Sequence, residues 1–174
     1  MKGKYLVLAA ILGGLTLFVW GFIWHGLLPF YEKSAMFEFT DGQTVNTVIQ
    51  QNASHGNAIY YSKEGAFVAV SFTPEMADKT KAMGAPMTLE FITNMIVSLL
   101  FAVIIARTGA FGSVMKGALF MGLAGLTAEL SSELSYWNWY GFSGLFTTLN
   151  IIGETLSWYI AGLVISGLHL KFNK

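Results

Sequence analysis

The 174-residue chain is 54% AVILMFWYC with 19 glycines besides, so roughly two-thirds of it is apolar or Gly, against ~45–50% in an ordinary soluble domain. Only 11% of residues are charged and the formal net charge is zero, which excludes an electrostatic nucleic-acid binder and a disordered tail. The chain has no Cys, which removes disulfides, thiolate metal sites and Cys nucleophiles.

The hydropathy pattern predicts an integral membrane protein that is mainly α, with four transmembrane helices and a small α/β extracytoplasmic cap between the first two. Tyr5 to Leu28 is apolar apart from Thr16 and His25, and at ~1.5 Å per residue a helix of that length exceeds the ~30 Å hydrocarbon core. Met1-Lys2-Gly3-Lys4 has the character of a signal-peptide n-region. The apolar run that follows is too long and lacks an A-x-A-like cleavage site, so the segment reads as a retained anchor.

Residues 29 to 86 are too long for a plain connection and are expected to fold. Asp41 is a plausible N-cap, after which Val45, Val48, Ile49 and Ala53 share a helical face that Gly56 ends. Ala58 to Ser62 and Ala66 to Phe72, separated by Lys63-Glu64-Gly65, read as the strands of a hairpin closed by Pro74. An isolated hairpin is marginal in water, so the cap is expected to rest on the helix ends or on a partner.

Three further spans follow at 87–106, 113–134 and 145–170. Placing the N-terminus inside puts Lys2, Lys4, Arg107, Lys116, Lys171 and Lys174 on the cytoplasmic side without one acidic residue, as the positive-inside rule requires. The loop between the first two spans mixes Lys33, Lys63, Lys79 and Lys81 with Glu32, Glu38, Asp41, Glu64, Glu75 and Asp78. Both termini are therefore expected in the cytoplasm. Trp20 and Trp24, with Tyr136, Trp137, Trp139 and Tyr140, then fall at the outer face as interfacial aromatics.

The acidic residues of the helices are Glu90, Glu129, Glu133 and Glu154, and the threading brings all four toward the outer leaflet together with His25. At ~1.5 Å per residue, His25, Glu90 and Glu133 should lie within roughly 6 Å of the outer boundary, with Glu129 some 6 Å deeper. Glu154 is in the first turn if Asn150 caps the last helix, and more than a turn deeper if that helix begins near Leu145. Glu90 and Glu154 can be explained as carboxylates favoured at a helix N-terminus. Glu129 and Glu133 are like charges one turn apart at a helix C-terminus, where repulsion and dipole oppose joint ionisation. These five residues form the candidate cation or proton site, because carboxylates facing a bundle interior mark ion, proton or substrate paths.

No cofactor is predicted. A divalent cation is compatible with oxygen ligands and one imidazole, although the Glu-x-x-His pair of di-iron bundles is absent. His169 lies at the opposite end of the membrane and His55 in the loop. Ala118 and Gly122, Ala124 and Ala128, and Gly153, Ser157 and Ala161 recur at four-residue spacing, which suits close helix packing inside the protein or a docking face for another subunit.

Phe18-Val19-Trp20-Gly21-Phe22, Leu28-Pro29-Phe30 and Tyr136-Trp137-Asn138-Trp139-Tyr140-Gly141-Phe142 resemble a family of small bacterial four-helix inner-membrane proteins with no established function. That resemblance implies a bacterial inner membrane and a periplasmic loop, and implies no activity. Size, small-residue stripes and the absence of catalytic motifs lead to the expectation of a non-enzymatic accessory or scaffold subunit that contacts lipid and other membrane subunits or its own copies. A small proton- or cation-coupled carrier or channel using the Glu cluster is the rival reading, and a lipid-modifying enzyme ranks third for want of a nucleophile and base.

Overall fold

The computed structural model describes residues 2–30, 35, 37–72, 79–108 and 112–172. Glu32, Lys33, Pro74, Glu75, Asp78 and Lys174 lie outside these residues, as do the side chains of Lys2, Lys79 and Lys81. The chain is mainly helical, in the order α1 (Lys2–Gly21), a π-helical turn (Phe22–Leu27), α2 (Gly42–Asn52), β1 (Ala58–Tyr61), β2 (Phe67–Val70), α3 (Lys79–Thr108), α4 (Val114–Tyr140) and α5 (Gly144–Phe172). Two compact units result, one of residues 1–35 with 87–174 and one of residues 36–86.

Three helical stretches, Gly3–Leu27, Met83–Thr108 and Gly144–Phe172, are long and apolar enough to cross a membrane. α4 has the length but not the same apolarity, since it carries Lys116, Glu129, Glu133 and a run of Ser residues. Helix ends are set by local chemistry. Ser113 Oγ accepts from the Lys116 N–H at 3.2 Å and starts α4. Gly141, at φ 70°, ends it in the left-handed region that Gly reaches without strain. α4 therefore runs through the aromatic cluster to Tyr140 instead of stopping at Leu134. Ser143 Oγ accepts from the Phe146 N–H at 3.1 Å and starts α5, so Asn150 is not the cap and Glu154 lies well inside the helix. α3 begins at Lys79, ahead of the expected 87, and takes Pro86 into its interior.

In the first unit α5 is the central helix. It lies antiparallel to α1, where Gly13 faces Ile165, and antiparallel to α4, where Gly162 faces Ala118. Its Trp158 meets Phe101 of α3 edge-on at 4.8 Å. α3 in turn runs antiparallel to α1. Tyr5 donates to the Ala102 carbonyl at 3.3 Å, Gly14 faces the Met95 backbone, and Phe18 meets Phe91 at 5.5 Å. The buried core is Tyr5, Ala9, Leu17, Ala102, Ile105, Met121, Ala161 and Ile165. Alternating directions collect Lys4, Arg107, Lys116 and Lys171 at one end of the bundle, hereafter the basic end.

The small-residue stripes are mostly spent on this internal packing. Ala118, Gly122 and Gly125 of α4 and Gly153, Ser157, Ala161 and Gly162 of α5 are buried, whereas Ala128 is exposed. Contact without bulky side chains is how helices gain dispersion energy where water supplies no drive.

The second unit pairs α2 with a hairpin. Hydrogen bonds from the Thr44 side chain and backbone hold the Asp41 carboxyl below the usual carboxylate range, as expected of an N-cap. β1 and β2 are antiparallel, with Ala58 opposite Val70 and Tyr61 opposite Phe67. The Tyr60 hydroxyl ties the helix-to-strand turn by accepting from the His55 N–H and donating to the Gly56 carbonyl, both at 2.9 Å. An apolar groove of about 460 Å³ lies between Val48, Ile49 and Ala53 of the helix segment and Tyr60, Val68 and Val70 of the strands.

A Cβ at Gly162 would lie 2.8 Å from the Ala118 Cα and 3.1 Å from the Met121 Cβ, whereas one at Gly167 meets nothing within 4 Å. Gly162→Ala is therefore expected to destabilise by about 1–3 kcal/mol through overpacking, and Gly167→Ala to stabilise by about 0.5–1 kcal/mol through helix propensity. Unfolding in detergent, followed for both variants beside the parent, checks the pair.

Candidate functional site

At the end of the bundle opposite the basic end, α1 widens into the π-helical turn Phe22–Leu27, where the Leu28 N–H reaches the Ile23 carbonyl at 3.0 Å. Such turns re-aim side chains without ending the helix. Trp24 points inward and is only 8% exposed. It stacks on Trp20 at 5.9 Å, and Phe30 covers it at 5.5 Å. The two indoles close on α5 at Gly153, whose carbonyl accepts from Trp20 Nε1 at 2.9 Å. A Cβ at Gly153 would occupy the space of the Trp24 ring. Trp20 and Trp24 thus fasten α1 to α5, a role the sequence did not announce.

One residue on from each contact, His25 Nε2 and Glu154 Oε1 lie 3.3 Å apart. The two side chains are 44% and 34% exposed, so an ion pair here is moderated by its surroundings. On the neighbouring seam, Asn150 Nδ2 donates to Glu133 Oε2 at 3.0 Å across α4 and α5. Glu129 is half-buried one turn deeper and feels the charges of both Glu154 and Glu133. Four of the five expected site residues therefore converge: His25, Glu154, Glu129 and Glu133. Asn150, expected as a helix cap, instead holds Glu133.

Glu90 does not join them. With α3 starting at Lys79, Glu90 is three turns inside the helix and cannot act as an N-terminal carboxylate. Its side chain is exposed, among the exposed residues Leu89 and Ile92. Among the described residues, no three His, Asp or Glu side chains group closely enough to hold a metal ion. Nor do the neighbouring serines simply mark water, since Ser132 and Ser135 donate to the Ala128 and Ser131 carbonyls of their own helix.

The aromatic cluster divides. Tyr136 stacks on Phe142 at 5.4 Å and tilts against Tyr140 at 5.8 Å, which packs the chain reversal at Gly141. Trp137 and Trp139 stay half or more exposed, Trp139 at 77%. His169, at the basic end, meets Tyr5 edge-on at 5.2 Å.

The Asn150 pairing could have been suspected from an amide placed mid-helix in an apolar run. Its partner could not be named before the α4–α5 register was known. Comparison with protein-family models, curated proteins and solved structures finds no match for the chain.

The hydrogen bond between Glu133 and Asn150 can be weighed by a double-mutant cycle. With Glu133→Leu and Asn150→Leu, singly and together, unfolding in detergent should give a coupling of about 0.5–2 kcal/mol. The double variant should be more stable than the sum of the single losses implies.

Proposed function

We propose that the chain is a non-enzymatic integral membrane protein of the bacterial inner membrane, an accessory or scaffold subunit of a larger assembly. In this reading α4 is a fourth span, both termini are cytoplasmic and residues 29–86 form a periplasmic cap. The collection of Lys4, Arg107, Lys116 and Lys171 at one end of the bundle supports that orientation.

The observation that carries the assembly reading is the outer face of α3. Only 17% of its apolar span is buried, against 28% and 33% for those of α1 and α5. Along its open face run Leu89, Ile92, Ile96 and Leu100, with exposed Glu90 beside the first two. A carboxylate in an open apolar face of a spanning helix is costly unless another group meets it, and a basic or hydrogen-bonding residue of a neighbouring subunit would do so.

The rival reading, a small proton- or cation-coupled carrier or channel, is favoured by the convergence of His25, Glu154, Glu129 and Glu133. Against a path through the bundle stands its basic-end half, filled by Tyr5, Ala9, Ala102, Ile105, Met121 and Ile165, none more than 1% exposed.

A photo-crosslinking amino acid replacing Ile96 should give a discrete adduct with a second chain in native membranes, and mild-detergent electrophoresis should show an assembly. Glu90→Lys should weaken that assembly by about 2–5 kcal/mol by opposing the partner group. A strictly monomeric particle without an adduct would contradict the reading.

A further inference from the structure

Hydroxyls on the helices of the first unit behave in two ways. Thr16, Thr127, Thr148, Ser132 and Ser135 donate back to a carbonyl four residues earlier, at 2.7–3.1 Å. Thr147 and Thr155 of α5 do not. Thr147 is 4% exposed, and neither hydroxyl has a hydrogen-bond partner within the protein. A helical Thr has its own carbonyl within easy reach. A buried one that turns away therefore faces something else, or forgoes a bond worth about 1 kcal/mol.

The register of α4 on α5 shows what these hydroxyls are near. Gly144 lies beside Trp137 and Asn150 bonds Glu133. Thr147, between Gly144 and Asn150 on α5, therefore falls one step from Glu133. Thr147, Asn150 and Glu154 also share a stripe of α5, since three and four residues return to one helical face. Thr155 falls at the level of Glu129. Two further unpartnered hydroxyls, Ser98 and Ser166, sit toward the basic end, away from these carboxylates.

Charge is out of balance at the same place. Glu129, Glu133 and Glu154 bring three carboxylates, His25 can supply one positive charge, and the spanning part of that half contains no Lys or Arg. Protonating one carboxylate would relieve the repulsion but leave the Thr147 hydroxyl without a partner. A cation with oxygen ligands would satisfy both. The donors are hard oxygens, and no cage of three His, Asp or Glu side chains exists among the described residues, which favours a single charge over a divalent or transition metal.

We propose that this seam binds a monovalent alkali cation between the Glu133 carboxylate and the Thr147 hydroxyl, with Glu129 and Glu154 supplying surrounding negative charge. Asn150 positions Glu133, and His25 offsets Glu154. The inference rests on α4 and α5 spanning the membrane together. It requires neither assembly with partners nor passage of the ion across the bilayer, so it can fail while the assembly reading stands.

The test uses the full chain in detergent or lipid discs at one pH, with unfolding followed in sodium, potassium or choline chloride at equal ionic strength. The expected result is a Tm that rises with sodium or potassium and keeps rising logarithmically above the Kd, with no rise in choline. Glu133→Gln and Thr147→Val should each weaken the apparent affinity by about tenfold or more, and Glu90→Gln should leave it unchanged. If the first two variants fail to fold, radioactive sodium binding to the parent chain, competed by potassium and not by choline, replaces them. Equal Tm in the three salts, or a Tm set by pH and indifferent to the cation, overturns the proposal, as does the absence of saturable sodium or potassium binding.

Discussion

Close approach of backbones to α5 is the constraint on which the rest of the first unit depends. Gly153, Ser157, Ala161 and Gly162 are small enough to let α1 and α4 lie against it together. In hydrocarbon there is no hydrophobic drive between helices, so dispersion at short range and a few polar contacts must hold them. A bulkier residue at Gly153 would remove the space taken by the Trp24 ring. It would also disturb the carbonyl to which Trp20 is bonded. The approach of His25 to Glu154 follows from the same contact, because the two pairs are adjacent in both helices.

That arrangement separates the bundle into two chemically different halves. Toward the basic end the interior is apolar and nearly fully buried, and its charged residues sit at helix ends where headgroups and water can reach them. Toward the acidic end the α4–α5 seam holds amide, hydroxyl and carboxylate groups that are only partly matched to one another. Buried polar groups in a low-dielectric seam are costly when unmatched and specifying when matched. The same residues can therefore fix the register of the two helices and present a site for a small cation.

Much of the fold was legible in the sequence because it depends on local signals. Apolar run lengths located the spans, Asp41 the start of α2, and Lys63-Glu64-Gly65 the turn between the strands. Helix ends were less legible. Gly141 and Ser143 are sound stop and start signals in retrospect, but the aromatic run before Gly141 reads as a membrane-surface cluster. Lys79 to Pro86, with two Lys, Gly and Pro, reads as loop, although Pro86 costs the helix a single backbone donor. The site was half legible. Direction of threading put His25, Glu129, Glu133 and Glu154 at one end, but which faces met was a matter of helix register. That is why Glu90, at a similar depth, turned out to face away, and why Asn150 and Thr147 were not singled out.

Whether α4 crosses the membrane decides the orientation of everything after it, and parity gives a direct reading. The chain has no Cys, so single cysteines can be introduced without background. With Ser54→Cys and Asn173→Cys in intact cells, a membrane-impermeant maleimide should label position 54 at once and position 173 only after permeabilisation. Labelling of both positions from outside would mean an odd number of crossings and would contradict a four-span bundle with its basic end in the cytoplasm.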